Sequence, residues 1–162
     1  MNDLEKVRRS FRPQRITTLF VGESPPHSGV FFYKCDSQLY FRVKEAFGNG
    51  ENFLSEFRAR GFFLDDLVLH SINQIKEKNE RNEHRWKGVP LLARRMKDYR
   101  PGAVVALMRA IEPMVVDAMA QAGLPSIPHY VTHFPIFPKN VKAFKQELAE
   151  IIPKLPVNGS QT

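Results

Sequence analysis

The stretch Ile16-Thr17-Thr18-Leu19-Phe20-Val21-Gly22-Glu23-Ser24-Pro25-Pro26-His27 decides the fold. Ile16 to Val21 is β-branched and apolar, the composition of a strand covered on both faces, and Gly22 stops it. The loop that follows is held rigid by Pro25 and Pro26, and Gly22 lets another group approach the backbone closely. Rigid backbone amides at the carboxyl end of a buried strand suit the gripping of an oxygen atom.

Working outward, Asp36 or Ser37 caps a helix in which Leu39, Val43 and Phe47 share a face, and Gly48-Asn49-Gly50 ends it. Phe53 and Phe57 stand one helical turn apart in a short second helix that closes at Gly61. The next strand runs from Phe62 through Leu69, with Asp65 and Asp66 in its middle, and buried acids need partners. Lys76 to Lys87 is almost wholly polar and reads as a solvated, mobile excursion. Pro90 fits the first turn of a helix through Leu91, Leu92, Met96 and Tyr99, stopped by Arg100-Pro101-Gly102. Ala103 to Met108 is a third strand, Pro113 to Gly123 a helix, and His129 to His133 a fourth strand. Asn140 caps a last helix carrying Val141, Phe144, Leu148 and Ile151.

Strands alternating with helices imply right-handed crossovers, so the expected fold is α/β: a three-layer α/β/α sandwich with a mostly parallel four-stranded sheet. The domain spans 16–155, after a basic N-terminal segment at 1–15 and before a disordered tail at 156–162.

A length of 162 residues with 43% apolar side chains suits one domain with a full core. Cys35 is the single cysteine, which excludes an intramolecular disulfide, a multi-cysteine zinc site and a four-cysteine iron-sulfur cluster. No metal or cofactor is expected. Met1 to Arg15 has no apolar run of signal-peptide type, and nowhere do about 18 apolar residues follow one another, so a cytoplasmic monomer without a membrane is expected. Twenty-four Lys and Arg against 17 Asp and Glu leave +7, which makes a polyanion a reasonable partner.

Ligands of such sheets bind outside the carboxyl ends of the strands, here Gly22 to His27, Asp65 to Asn73, Met108 to Ala110 and His133 to Pro138. The order Ser24, Asp65 or Asp66, His133 matches that of an α/β-hydrolase triad. The nucleophile elbow, however, needs a glycine where Pro26 stands. Phe31, Phe32 and Tyr33 lie close behind the loop, where aromatic faces suit either a planar base or ordinary core packing.

Gly22-Glu23-Ser24-Pro25-Pro26 and Thr132-His133-Phe134-Pro135 resemble the two motifs of the uracil-DNA glycosylase superfamily, over roughly Thr17 to Ile152. Phe63-Leu64-Asp65-Asp66-Leu67-Val68 resembles the strand bearing that family's uracil-reading Asn, with Asp66 at its position. Tyr99 to Leu107 is similar to its third strand and lead-in. Ser24 stands where many members carry a water-activating Asp or Asn, and Phe134-Pro135 replaces Pro-Ser.

The resemblance implies a cluster-free hydrolase acting on DNA that contains uracil or a related damaged base, flipped into the pocket. By the same resemblance Phe32 or Phe31 stacks on the base beside Gly22 and Pro25, and Asp66 accepts the base N3–H. Glu23 activates water, with Ser24 as a weaker positioner, while His133 and the loop amides stabilise the departing anion. Ile136 and Phe137 form a wedge, and Arg94, Arg95, Lys139 and Lys142 contact phosphates. The alternative is a catalytically inactive nucleic-acid or nucleotide-binding module on the same fold, which Ser24 and Asp66 favour.

Overall fold

The computed structural model of the chain describes residues 2–159. Thr18–Gly22 forms β1, which pairs on one side with β2 (Phe62–Asp66) and on the other with β3 (Ala103–Ala106); β4 (His129–Val131) completes the sheet beyond β3. All three pairings are parallel, so the order is β2-β1-β3-β4 with no antiparallel strand. Every residue of β1, β2 and β3 is buried, which explains their near-continuous apolar runs, whereas the edge strand β4 is half-exposed.

Six α-helices stand among the described residues: α1 (Asp3–Ser10), α2 (Gln38–Ala46), α3 (Phe53–Ala59), α4 (Lys78–Tyr99), α5 (Glu112–Gln121) and α6 (Pro138–Ile151). They pack in pairs, α2 with α6 and α4 with α5, and the sheet between is covered on both faces, as in an α/β/α sandwich. Ser37 starts α2 by accepting a hydrogen bond from the Tyr40 amide at 3.1 Å. The phenylalanines interlock: Phe20 lies 5.3 Å from Phe57 and 5.4 Å from Phe62 in tilted and edge-on contacts.

Several expectations change. The polar stretch Lys76 to Lys87 is mostly the N-terminal half of α4 rather than a mobile excursion, and Pro90 lies inside that helix instead of opening it. Pro90 and Trp86, whose carbonyl loses its helical donor there, are both exposed, so water can satisfy the freed oxygen. The segment 1–15 is not separate from the domain: α1 docks against it with Arg8 fully buried. Of the expected tail, Pro156 to Asn158 is tied down, with the Pro156 carbonyl accepting from Thr18 Oγ1 at 3.1 Å and the Asn158 amide donating to the Arg60 carbonyl at 2.8 Å. Residues 160–162 lie outside the described residues. Strand β4 ends at Val131, short of His133, and α6 starts at Pro138 with no side-chain cap, leaving Asn140 inside its first turn.

Helix α4 crosses the end of β2 at Gly88, where an added Cβ would meet the Leu67 carbonyl oxygen at 2.7 Å. Replacing Gly by Ala in an open helix gains up to about 1 kcal/mol. Here the obstacle is backbone, and overpacking of this kind costs about 1–3 kcal/mol. Gly88→Ala is therefore expected to lower the urea unfolding midpoint, whereas an unchanged or raised midpoint would show that α4 does not press on Leu67.

Candidate functional site

A cavity of about 390 Å³ opens at the carboxyl ends of β1 and β2. Its walls are the loop Gly22 to Pro26, the buried rings of Phe31 and Phe32, Asp66, the α4 arginines Arg81 and Arg85, and Phe134, Ile136 and Asn140 from the far side of the sheet. The sheet dictates this convergence, because the register that pairs Val21 with Asp65 and Gly22 with Asp66 ends both strands at the same level.

The floor solves the problem of two carboxylates in a buried strand. Arg8 reaches in from α1 and donates from Nη2 to Asp66 Oδ2 at 2.9 Å and from Nη1 to the Leu64 carbonyl at 3.2 Å. Asp65 turns the other way, where its Oδ2 accepts from the Tyr99 hydroxyl at 2.9 Å and pairs with Arg95 Nε at 3.0 Å. Burial pushes the Asp66 carboxyl above its ordinary range, and the pull of Arg8 only partly offsets it. Burial acts to lower Arg8, yet the carboxylates of Asp66, Asp65 and Glu5 outweigh it and raise the guanidinium above its ordinary value. Both directions have one origin: a single guanidinium is shared among three carboxylates.

Glu23 is held from the opposite wall. Arg81 Nε donates to its Oε2 at 2.9 Å and Arg81 Nη2 to its Oε1, while Arg85 Nε donates to Oε2 at 2.7 Å. Both carboxylate oxygens are thus engaged by guanidinium donors, which holds Glu23 as an ion-pair partner rather than as a free base. Ser24 Oγ accepts from the Ile72 amide at 3.2 Å, and the His27 amide donates to Asn73 Oδ1 at 2.9 Å, so the loop is fastened to the segment after β2.

His133 does not line the cavity, although Phe134 and Ile136 beside it do. Its Nδ1 lies 3.1 Å from both oxygens of Glu147, and its amide donates to Glu147 Oε1 at 2.9 Å. Arg109 completes this cluster at 3.1 Å from Glu147 Oε2. Burial would raise the Glu147 carboxyl, but the His133 amide and ring together with Arg109 outweigh it and hold the group below its ordinary range.

The expected site residues are therefore partly brought together. Gly22, Glu23, Ser24, Pro25, Phe31, Phe32, Asp66 and Ile136 share the cavity, whereas His133, Phe137, Arg94, Arg95, Lys139 and Lys142 lie outside its lining. Ile136 and Phe137 are 62% and 64% exposed at the rim, an apolar projection beside the exposed Lys139 and Lys142. Arg94 is exposed on α4, but Arg95 is turned inward, its Nη2 donating to the Asp66 carbonyl at 2.6 Å, and this occupies it internally rather than at a phosphate. Phe31 and Phe32 show the cavity only their rims, since both are packed into the aromatic core and Arg8 sits 4.9 Å over the Phe31 ring. Sequence reasoning missed Arg8, Arg81, Arg85 and Glu147; only the i, i+4 spacing of Arg81 and Arg85 hinted at a shared face. Among the described residues, no group of three or more His, Cys, Asp and Glu is placed to hold a metal ion, and no helix is long and apolar enough to cross a membrane.

Neither a family model nor a curated protein matches this chain.

Removing Arg8 leaves a carboxylate buried without its partner, a change that costs about 3–5 kcal/mol in comparable pairs. Arg8→Ala should show that loss in urea unfolding, and a loss confined to a few tenths would mean that α1 is not integral to the fold. For Glu147, a depressed folded-state pKa means a stabilisation that is fully present above the ordinary value of 4.5 and lost as pH falls through the folded one. The stability of Glu147→Gln should accordingly fall less than that of the wild type on acidification below about pH 4.5.

Proposed function

We propose that the chain is a DNA glycosylase-like hydrolase that cuts the N-glycosidic bond of uracil or a related damaged base flipped out of DNA. The observation that carries this reading is the cavity itself, which joins the resembling loop Gly22 to Pro26, Asp66 and the apolar projection at Ile136 in one place. A flipped ring entering it meets aromatic rims on one side and the Arg81–Arg85 pair on another.

In the reaction, the electron pair of the C–N bond leaves with the base, a water oxygen bonds to the sugar carbon, and a proton of that water ends on the base. The barrier lies mainly in charge separation, so cations beside the leaving base contribute more than a strong general base. Arg81 and Arg85 line the cavity and supply that positive charge, a role the sequence assigned to His133. Ser24 keeps its hydroxyl hydrogen for water while its oxygen accepts from Ile72. Ile136 and Phe137 fill the gap in the stack, and Arg94, Lys139 and Lys142 meet phosphates around them.

A second reading, a nucleic-acid or nucleotide-binding module without catalysis, is favoured by one observation: both oxygens of Glu23 are consumed by arginines.

Incubation with oligonucleotides containing uracil or other damaged bases, followed by alkali, separates the two. A glycosylase yields cleaved strands, and Arg81→Met, which leaves Glu23 held by Arg85, should slow the reaction about 100- to 1000-fold, the cost of losing one preorganised donor. Affinity for undamaged DNA should be unchanged in that variant and should weaken steeply with salt in both proteins. Strands that remain intact across the whole set of lesions, with binding retained, would establish the module instead.

A further inference from the structure

Asp66 is the only cavity-lining residue whose charge is neutralised from behind the wall, by an arginine that does not itself line the cavity. Arg8 takes Oδ2, and among the described residues no hydrogen-bond donor reaches Oδ1. The residue is only 5% exposed, so the lone pairs of Oδ1 have little access to water. That oxygen sits beside Gly22, another lining residue, so close that a Cβ there would be 2.7 Å away; the absent side chain is what leaves the oxygen room at the wall. A buried, unpartnered acceptor costs about 1–3 kcal/mol, and a ligand that supplies a donor removes that cost.

We propose that Asp66 Oδ1 makes the cavity select a nucleobase with an exocyclic amino group, of the cytosine type, over its keto counterpart, uracil. This rests on the reading that a flipped base occupies the cavity. Arginine has only donors, so Oδ2 remains fixed on Arg8 and the carboxylate offers the ligand one acceptor and no donor. The amino group of a cytosine ring donates to that acceptor. Uracil places a keto oxygen at the same point, acceptor against acceptor, and its N3–H lies between two such oxygens. Aromatic rims are indifferent to the exchange of amino for keto, and both oxygens of Glu23 are taken up by Arg81 and Arg85, so the discrimination falls to Asp66.

The same geometry fixes what an amide does at this position. In Asp66→Asn the amide oxygen must turn toward Arg8, which can only donate, and the Nδ2 hydrogens then face the cavity. The preference should invert.

Calorimetric titration of the full chain with deoxycytidine and with deoxyuridine reads this without requiring turnover. The wild type should bind deoxycytidine about 10- to 100-fold more tightly, the factor set by one buried acceptor left unpaired, and Asp66→Asn should bind deoxyuridine more tightly. Equal affinities, a preference for deoxyuridine, or binding of neither nucleoside by the wild type overturns the proposal, and the wild-type comparison decides alone should the variant fail to fold. Base release from damaged oligonucleotides is scored in parallel. Selective binding of deoxycytidine with no base released refutes the glycosylase reading but supports the selectivity, while efficient release of uracil without that selectivity does the reverse.

Discussion

One buried guanidinium organises the functional end of the sheet. Arg8 neutralises Asp66, donates to the carbonyl of Leu64, and lies across the ring of Phe31, so a single side chain joins the first helix, the second strand and the aromatic wall. Two adjacent acids at the end of a strand with every residue buried would be untenable without it. Arg95 and Tyr99 relieve Asp65 from the other side, and the strand keeps its pairing with β1 to the last residue.

Glu23 repeats this arrangement across the cavity. Each wall carries a carboxylate, and each carboxylate is compensated by arginines delivered from a helix. The difference is geometric: Arg81 and Arg85 use up both oxygens of Glu23, whereas Arg8 takes one oxygen of Asp66. A nearly charge-balanced cavity is therefore left with one strong acceptor and with guanidinium groups on the facing wall.

The strands were legible because burial on both faces forces a signature that needs no partner to be read: Leu19 to Val21 and Val104 to Leu107 are apolar whatever they pack against. The loop Gly22 to Pro26 was legible for the related reason that Gly and Pro report backbone geometry locally. The first half of α4 was not, since its polar residues find their purpose 58 and 62 positions away at Glu23, and Pro90 suggested a start where the helix only passes through. Arg8 was hidden in the same way, 58 positions from Asp66 in a segment that reads as a solvated charge run. His133 misled through its place in the chain: β4 ends two residues early, and the side chain turns to Glu147 instead of the cavity.

The strap from Pro156 to Asn158 closes the opposite end of the sheet. It bonds to Thr18 at the start of β1 and to Arg60 just before β2, and it covers Gly102 just before β3. The contact with Thr18 spans 138 residues, so it is among the most non-local in the molecule. On the ribosome, the amino ends of three strands stay open to chaperones and proteases until the strap has left the exit tunnel. Closure of this end is then a late event whose loop entropy burdens the rate of folding more than the stability of the product.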